Sequence, residues 1–392
     1  MPLWYPTLYC TTQRRNASKA ASTLLADVQH IRDVLDWFDE QGLDLCARIR
    51  SGCLDVLTPP EIESLVDALG RRRTPQVCRS KVVPLRRRKP ARGTGKQVEP
   101  GVKYNRISVA ASYLQWYINR YAYDHGFGSQ ELQASVHSIA AHLRLLRPTR
   151  SSFHRLGLRQ GLSEEAQACL LALIEPGSQK NPFEPDLQRR NALVVKLLLD
   201  LGIRLGELLT LKVTDFDFRN NEVVIPRRAD DPTDPRRRQP VTKTFDRRLP
   251  MSEALAAEVF EYTKVRRSFV RTRKHAFLIV VHAEGEFQGQ PITQKGIDKV
   301  FAALRAAEPK RLHDLSAHIL RHTSNDRFSE YMDEAGIKPG DEERRREYKY
   351  GWKYGSGTAA TYTKRHIERE AQKASLKLQK QFRKEGQKEK GN

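Results

Sequence analysis

Residues 316–325, SAHILRHTSN, hold His318, Arg321 and His322 at spacings of three and four, so a helix through them puts all three side chains on one face. Histidine trades protons near neutral pH, and a guanidinium forks onto phosphate oxygens. Such a face can set a proton carrier beside an anion clamp, or it can be an ordinary solvated helix surface. Four further groups invite the same double reading. Arg204 with Glu207 three residues on is commonly a surface ion pair, and Lys243 a solvated lysine in a turn. Trp352 can donate its indole N–H, and Tyr362 can be a buried aromatic with its hydroxyl satisfied. Taken singly each is weak; their conjunction is harder to dismiss.

The elements that must position these groups can be read from periodicity. In STLLADVQHIRDVLDWFDEQG, Leu24, Val28, Ile31, Leu35 and Phe38 form an amphipathic stripe ending at Gly42. LTPPEIESLVDALG has a helix start at Thr58 with two prolines and acidic residues, and a stop at Gly70. YNRISVAASYLQWYINRYAYDHG is again helical through Ile107, Tyr113, Leu114, Tyr117 and Ile118, and 129–146 continues as helix. A basic, turn-rich segment at 147–161 marks a domain boundary, after which Ser163 caps the next helix. Farther on, a buried helix at 189–201 breaks at Gly202 and another begins near Arg204. NEVVIP and RRLPM read as short strands, with PVTKTFD supplying the strand and turn before the latter. RRADDPTDPRRRQ reads as a charged loop that lacks the acid and glycine positions of a calcium site. Helices follow at 252–266, 293–307 and 315–335, and GIKPGDEERRREYKYG reads as a charged connection.

Composition limits the partner. The chain has 392 residues, 39% hydrophobic and 30% charged, with a net charge of +22 and a pI near 9.9. That excess favours a polyanion. No apolar run spans a bilayer, since ALVVKLLLDLG is short and interrupted by Lys196 and Asp200. The N-terminus lacks the pattern of a signal peptide. Five cysteines without a C-x-x-C pair read as reduced thiols of a cytoplasmic protein with no zinc site. Nucleic acid is therefore the expected partner and a membrane is not. Residues 71–96 carry eleven Lys or Arg and no acid. They form either a solvated linker or an arm along phosphates, with Arg86, Arg87, Arg88 and Lys89 as the DNA-contacting candidates.

The order Arg, Lys, His-x-x-Arg, Trp, Tyr resembles that of the tyrosine recombinases, the phage-integrase family. LGIRLGELLTLKVTDFDF is similar to the family's first arginine motif, and VTKTFDRRLPMS to its lysine hairpin. LSAHILRHTSND is similar to its His-x-Leu-Arg-His-Thr box, the most specific of the set, and GWKYGSGTAATYTKRH to its final box. The resemblance covers roughly 160–370. Trp352 stands where many relatives carry His, and ten residues separate Trp352 from Tyr362, one more than usual. Tyr348, Tyr350 and Tyr354 are therefore rival nucleophiles, although TAATYT matches the small-residue run before the family's tyrosine.

That resemblance implies a mainly α fold with a small antiparallel β-sheet (α+β). After an extension at 1–16, a helical DNA-clamping domain spans 17–150 with its basic insert at 71–100. A catalytic domain follows at 151–366, then a basic tail at 367–392. It implies a site-specific recombinase, an integrase of a mobile element, that breaks and rejoins DNA through a covalent 3′-phosphotyrosine without metal, ATP or other cofactor. Tyr362 would be the nucleophile, Lys243 the acid for the leaving oxygen and His318 the base. Arg204, Arg321 and Trp352 would donate to phosphate oxygens, and Glu207 would orient Arg204. His322 supports the site or touches DNA. The chemistry asks for such groups: at neutral pH about one phenol in a thousand is ionised, so a base and a cationic pocket are needed. A charge contact at 4 Å is worth roughly 4 kcal/mol at intermediate dielectric, an upper guide. The family acts as a DNA-bound tetramer joined through C-terminal helices, sometimes with accessory proteins. A type IB topoisomerase, or a DNA-binding protein that has lost catalysis, would draw on the same residues.

Overall fold

Five of the N-terminal helices arise where apolar residues recur at threes and fours, and their stripes close on one another. The computed structural model describes residues 3–16, 21–72, 96–149, 161–228, 231–240, 242, 245–355, 371–372 and 374–381. The chain divides into two compact units, Met1–Leu156 and Gly157–Asn392. It is mostly helical with a small antiparallel sheet, the α+β class expected.

In the first unit α1 (Trp4–Tyr9) runs into a π-type segment (Cys10–Arg15), followed by α2 (Ala21–Gln41), α3 (Leu45–Arg50), α4 (Pro59–Gly70), α5 (Pro100–Asp124) and α6 (Gln130–Leu145). Gly42, at φ +65, ends α2 where only glycine is unstrained. The buried stripe of α2 is rotated from the expected one: Ile31, Val34 and Trp37 are buried while Val28 is exposed. Glu61 opens α4 by accepting the Thr58 N–H at 2.9 Å and the fork of Arg48. That guanidinium holds the Glu61 carboxyl at about 2. The core gathers Trp37, Leu65, Ile107, Tyr113, Leu114, Val136 and Leu143. Arg86, Arg87, Arg88 and Lys89 lie outside the described residues.

The second unit is built around α8 (Pro185–Asp200), which starts four residues before the expected helix and is buried on nearly all sides. Before it stands α7 (Glu164–Ile174), whose cap Ser163 accepts the Ala166 N–H. After it come α9 (Leu205–Thr210), β1 (Phe216–Asp217), β2 (Glu222–Ile225) and β3 (Arg247–Pro250), then α10 (Glu253–Arg267), α11 (Gln294–Ala307), α12 (Ala317–Glu334) and α13 (Pro339–Tyr350). The sheet order is β1-β2-β3, all antiparallel, with Val223 facing Leu249 and Ile225 facing Arg247. The described residues of PVTKTFD carry no strand.

Two segments read as charged connections are structured for a common reason. In RRADDPTDPRRRQ, Arg236 is buried. It forks onto Asp234, donates to the carbonyls of Ile292 and Leu209 at 2.9 Å each, and lies 4.8 Å from the Phe277 ring. Arg228 pairs with Asp215, and Lys212 with Asp231. GIKPGDEERRREYKYG forms α13. Its buried face is Glu342, Arg346, Glu347 and Tyr350, with Arg346 bonded to Glu342, Ser329 and Asn325. These faces are built from paired charges, and hydropathy does not register them.

Candidate active site

Arg204 and Arg321 converge through two breaks in the helical framework. Gly202 ends α8 at φ +63, and a Cβ there would stand 2.5 Å from the Tyr350 ring and 2.6 Å from the Ser324 hydroxyl. Only glycine permits the approach. The Gly202 carbonyl, turned inward by that conformation, accepts from Arg321 Nη1 at 2.6 Å. Two residues on, Arg204 sits in extended backbone as the N-cap of α9, its own N–H donated to Glu207 Oε2 at 2.8 Å.

Arg321 comes from α12, which opens at Ser316, a cap accepting the Ile319 N–H. His318, Arg321 and His322 share the turn as the spacing required, but not one exposure. Arg321 is only 2% exposed, whereas His318 is exposed and His322 half-buried. Besides Gly202, Arg321 donates from Nη2 to the Tyr350 carbonyl at 2.9 Å. Its guanidinium lies 5.0 Å from the Tyr350 ring and 5.6 Å from the Trp352 ring. Arg204 Nη1 reaches the same carbonyl at 3.4 Å. Both guanidinium groups therefore share one acceptor at the C-terminal end of α13, where unpaired carbonyls and the negative end of the helix dipole favour cations.

The two histidines face each other, Nε2 to Nε2, at 3.0 Å, so one ring donates to the other. His322 thus meets His318 one turn back along α12. A cavity of about 520 Å³ opens between α9, α11 and α12, lined by Arg204, His318 and Arg321 together with Asp298 and Arg305. Arg305 also donates to the Leu315 carbonyl at 2.6 Å, tying α11 to the residue before the α12 cap. Trp352 is buried and stacks on Tyr350 at 5.3 Å, past the left-handed Gly351 that ends α13. Lys243 and Tyr362 lie outside the described residues.

Glu207 meets two guanidinium groups. It is fully buried, and the guanidinium that grips its carboxylate is Arg247: Nη1 to Oε1 at 3.2 Å and Nη2 to Oε2 at 2.9 Å. The Arg204 guanidinium stands farther off, at 3.8 Å. Among the rival tyrosines, Tyr350 is eliminated. Its ring is wholly buried, its hydroxyl meets Ser324 at 3.2 Å, and burial pushes the phenol up to about 12. Tyr348 donates to the Arg248 carbonyl, and Tyr354 is exposed.

Arg247, the Tyr350 carbonyl, Asp298 and Arg305 escaped the motif reading. The strand alternation of RRLP held a signal for the first: it sets Arg247 on the buried face with Leu249, where a charge requires a partner. Asp298 and Arg305, seven residues apart on one helix, share a face. A backbone carbonyl leaves no mark in sequence. Among the described residues no group of three or more His, Cys, Asp or Glu is placed to hold a metal ion. Cys10, Cys46, Cys53 and Cys169 are free thiols.

Residues 179–339 match the model of the phage integrase family, a span containing Arg204, Glu207, His318, Arg321 and His322. No curated protein matches the chain. Among solved structures, a XerA recombinase is similar at 16% identity and a TM-score of 0.36, over 92% of each chain. A lambda integrase dimer bound to a COC′ core site is 12% identical with a TM-score of 0.47, over 91% of this chain and 75% of that one. The Tn1549 transposon integrase in complex with circular intermediate DNA is 16% identical with a TM-score of 0.39, over 64% and 80%.

Proposed function

We propose that this chain, which carries a phage integrase family domain over residues 179–339, is a site-specific DNA recombinase that works through a phosphotyrosine intermediate. The observation that supports it best is the meeting of Arg204, Arg321 and His318 around one cavity, with both guanidinium groups held on the Tyr350 carbonyl. Two forks set by backbone acceptors suit the nonbridging oxygens of a phosphodiester and need little reorganisation when charge develops there.

In this reading the phenolic oxygen of Tyr362 attacks phosphorus and its proton passes to His318, with His322 3.0 Å behind to share it. The bond from phosphorus to the 5′ oxygen breaks, and Lys243 gives that oxygen a proton. A 3′-phosphotyrosine and a free 5′-hydroxyl result. Rejoining reverses each transfer, so bond energy is conserved and no external energy source is required. Trp352 presents its indole N–H to the phosphate as its ring rests on Tyr350. The basic arm around Arg86–Lys89 follows the DNA backbone, and the tail after Tyr362 joins protomers into a tetramer on double-stranded DNA. No helix among the described residues is long and apolar enough to cross a membrane.

The deciding experiment is covalent trapping on nicked duplexes drawn from the gene's own flanks, comparing the wild type with Tyr362→Phe. A denaturant-stable protein–DNA adduct formed by the first and absent from the second is expected. No adduct on any flanking site would leave a binding protein without catalysis. Relaxation of supercoils with no strand exchange would mark a topoisomerase.

A further inference from the structure

Three arginines end at the last two carbonyls of α13. Arg321 and Arg204 take the Tyr350 carbonyl, and Arg247 Nε takes that of Lys349 at 2.8 Å. Arg247 differs from the other two in not lining the cavity described above. Its side chain and that of Glu207 are almost completely excluded from solvent, at 1% and 0% exposure. While Nε holds α13, the two terminal nitrogens grip Glu207, and Glu207 Oε2 also accepts the backbone N–H of Arg204. One guanidinium thus joins the C-terminus of α13, where both pocket arginines are anchored, to the first turn of α9, which carries one of them. It does so from β3, four residues after Lys243.

We propose that Arg247 is a positioning residue for phosphoryl transfer, setting the distance between the Arg204 and Arg321 guanidinium groups by holding Glu207 and the Lys349 carbonyl at once. This rests on the recombinase reading above. The geometry explains the residue type. Three donors on one rigid plane serve a carboxylate along one edge and a carbonyl through Nε, which a lysine ammonium cannot match. A buried pair serving the fold alone would have no need to bridge the two supports of the phosphate clamp. Here both bonds of the bridge end on residues adjoining that clamp.

The test uses the full chain with Arg247→Lys, which keeps the charge, and with the pair Arg247→Met and Glu207→Gln, which leaves no buried carboxylate unmatched. Adduct formation is timed on a nicked site at saturating DNA, DNA affinity is measured alongside, and hydrogen exchange is followed by peptide. Misplacing a charge clamp by an ångström costs on the order of 100-fold, so both forms should form adduct about 10–100-fold more slowly. Affinity should stay within about twofold, because the loss is specific to the transition state. Faster exchange should be confined to 202–212 and 345–352. A wild-type adduct rate in either form overturns the proposal, and so does a loss carried wholly by affinity. If the wild type itself forms no adduct, the recombinase reading fails. Exchange then still decides the bridge: loosening at those two segments supports it, and uniform or absent loosening sinks it.

Discussion

Gly202→Ala should be far more costly than its small volume suggests, and a matched control isolates the reason. Gly202 lies at φ +63 and Gly336, after α12, at φ +65, so an alanine meets the same backbone penalty at each, about 1–2 kcal/mol. At Gly336 nothing stands within 4 Å of the added carbon. At Gly202 the carbon would sit 2.5 Å from the Tyr350 ring and 2.6 Å from the Ser324 hydroxyl, so one of them must retreat by about an ångström. Tyr350 has no free space, being fully buried against Phe328 and Trp352. Overpacking of this kind adds about 1–3 kcal/mol, giving roughly 2–5 kcal/mol for Gly202→Ala against 1–2 for Gly336→Ala. Urea unfolding of the full chain, followed by hydrogen exchange on peptides from 161–355, reads the difference for the second unit alone. Gly202→Ala should also slow adduct formation, since the Gly202 carbonyl and the Tyr350 carbonyl both hold Arg321. Equal costs at the two glycines would refute the close packing on which the pocket geometry depends.

Tyr350→Phe removes one hydroxyl contact with Ser324, so it should cost about 1 kcal/mol while leaving adduct formation intact; loss of the adduct would return Tyr350 to the list of nucleophiles. Tyr350 and Tyr262 are both pushed up to about 12 by burial. Their folded-state values exceed the unfolded one of about 10, so the stability they contribute is complete below pH 10 and drains away between pH 10 and 12. The loss is on the order of 2–3 kcal/mol per tyrosine, visible as a falling urea midpoint over that range and shallower in Tyr350→Phe. A flat midpoint would contradict the burial of both phenols. Arg236→Ala should cost about 3–5 kcal/mol by stranding Asp234, whereas Arg238→Ala, on the exposed side of the same loop, should fall within about 0.5 kcal/mol. Parallel unfolding curves would show that the charged loop is solvated after all.

Much of the framework was legible: α4 and α5 fall where their start signals and apolar stripes predict, and α10–α12 lie within two residues of the expected ranges. Apolar periodicity failed where a buried face is polar. In α13 the inward positions are Glu342, Arg346, Glu347 and Tyr350, and Arg346 is satisfied by Glu342 one turn back and by Ser329 and Asn325 on α12. A hydropathy count sees a solvated stretch there. The loop holding Arg236 fails for the same cause, since its acceptors are the carbonyls of Leu209 and Ile292. The pocket itself divides along this line. Arg204, His318 and Arg321 carry side-chain chemistry at characteristic spacing and could be named in advance. What aligns them is backbone, the Gly202 and Tyr350 carbonyls, and backbone atoms are the same in every residue.

That division explains why the sequence pointed to Arg204 as a partner of Glu207 and gave no sign of Arg247. A carboxylate three residues after an arginine at a helix start suggests a local pair, because sequence offers only local partners. The fold supplies a better one from β3. Glu207, once buried, must have its charge matched by a bidentate fork, and Arg204 cannot provide that fork while extending to the Tyr350 carbonyl at the cavity. Arg247 relieves it of the task. Arg204 keeps the looser 3.8 Å contact with the same carboxylate, its backbone N–H pinned there too, and lines the cavity. In the recombinase reading, an incoming phosphate would draw the Arg204 guanidinium from a 3.8 Å contact rather than from a bidentate pair, a smaller loss to offset on binding.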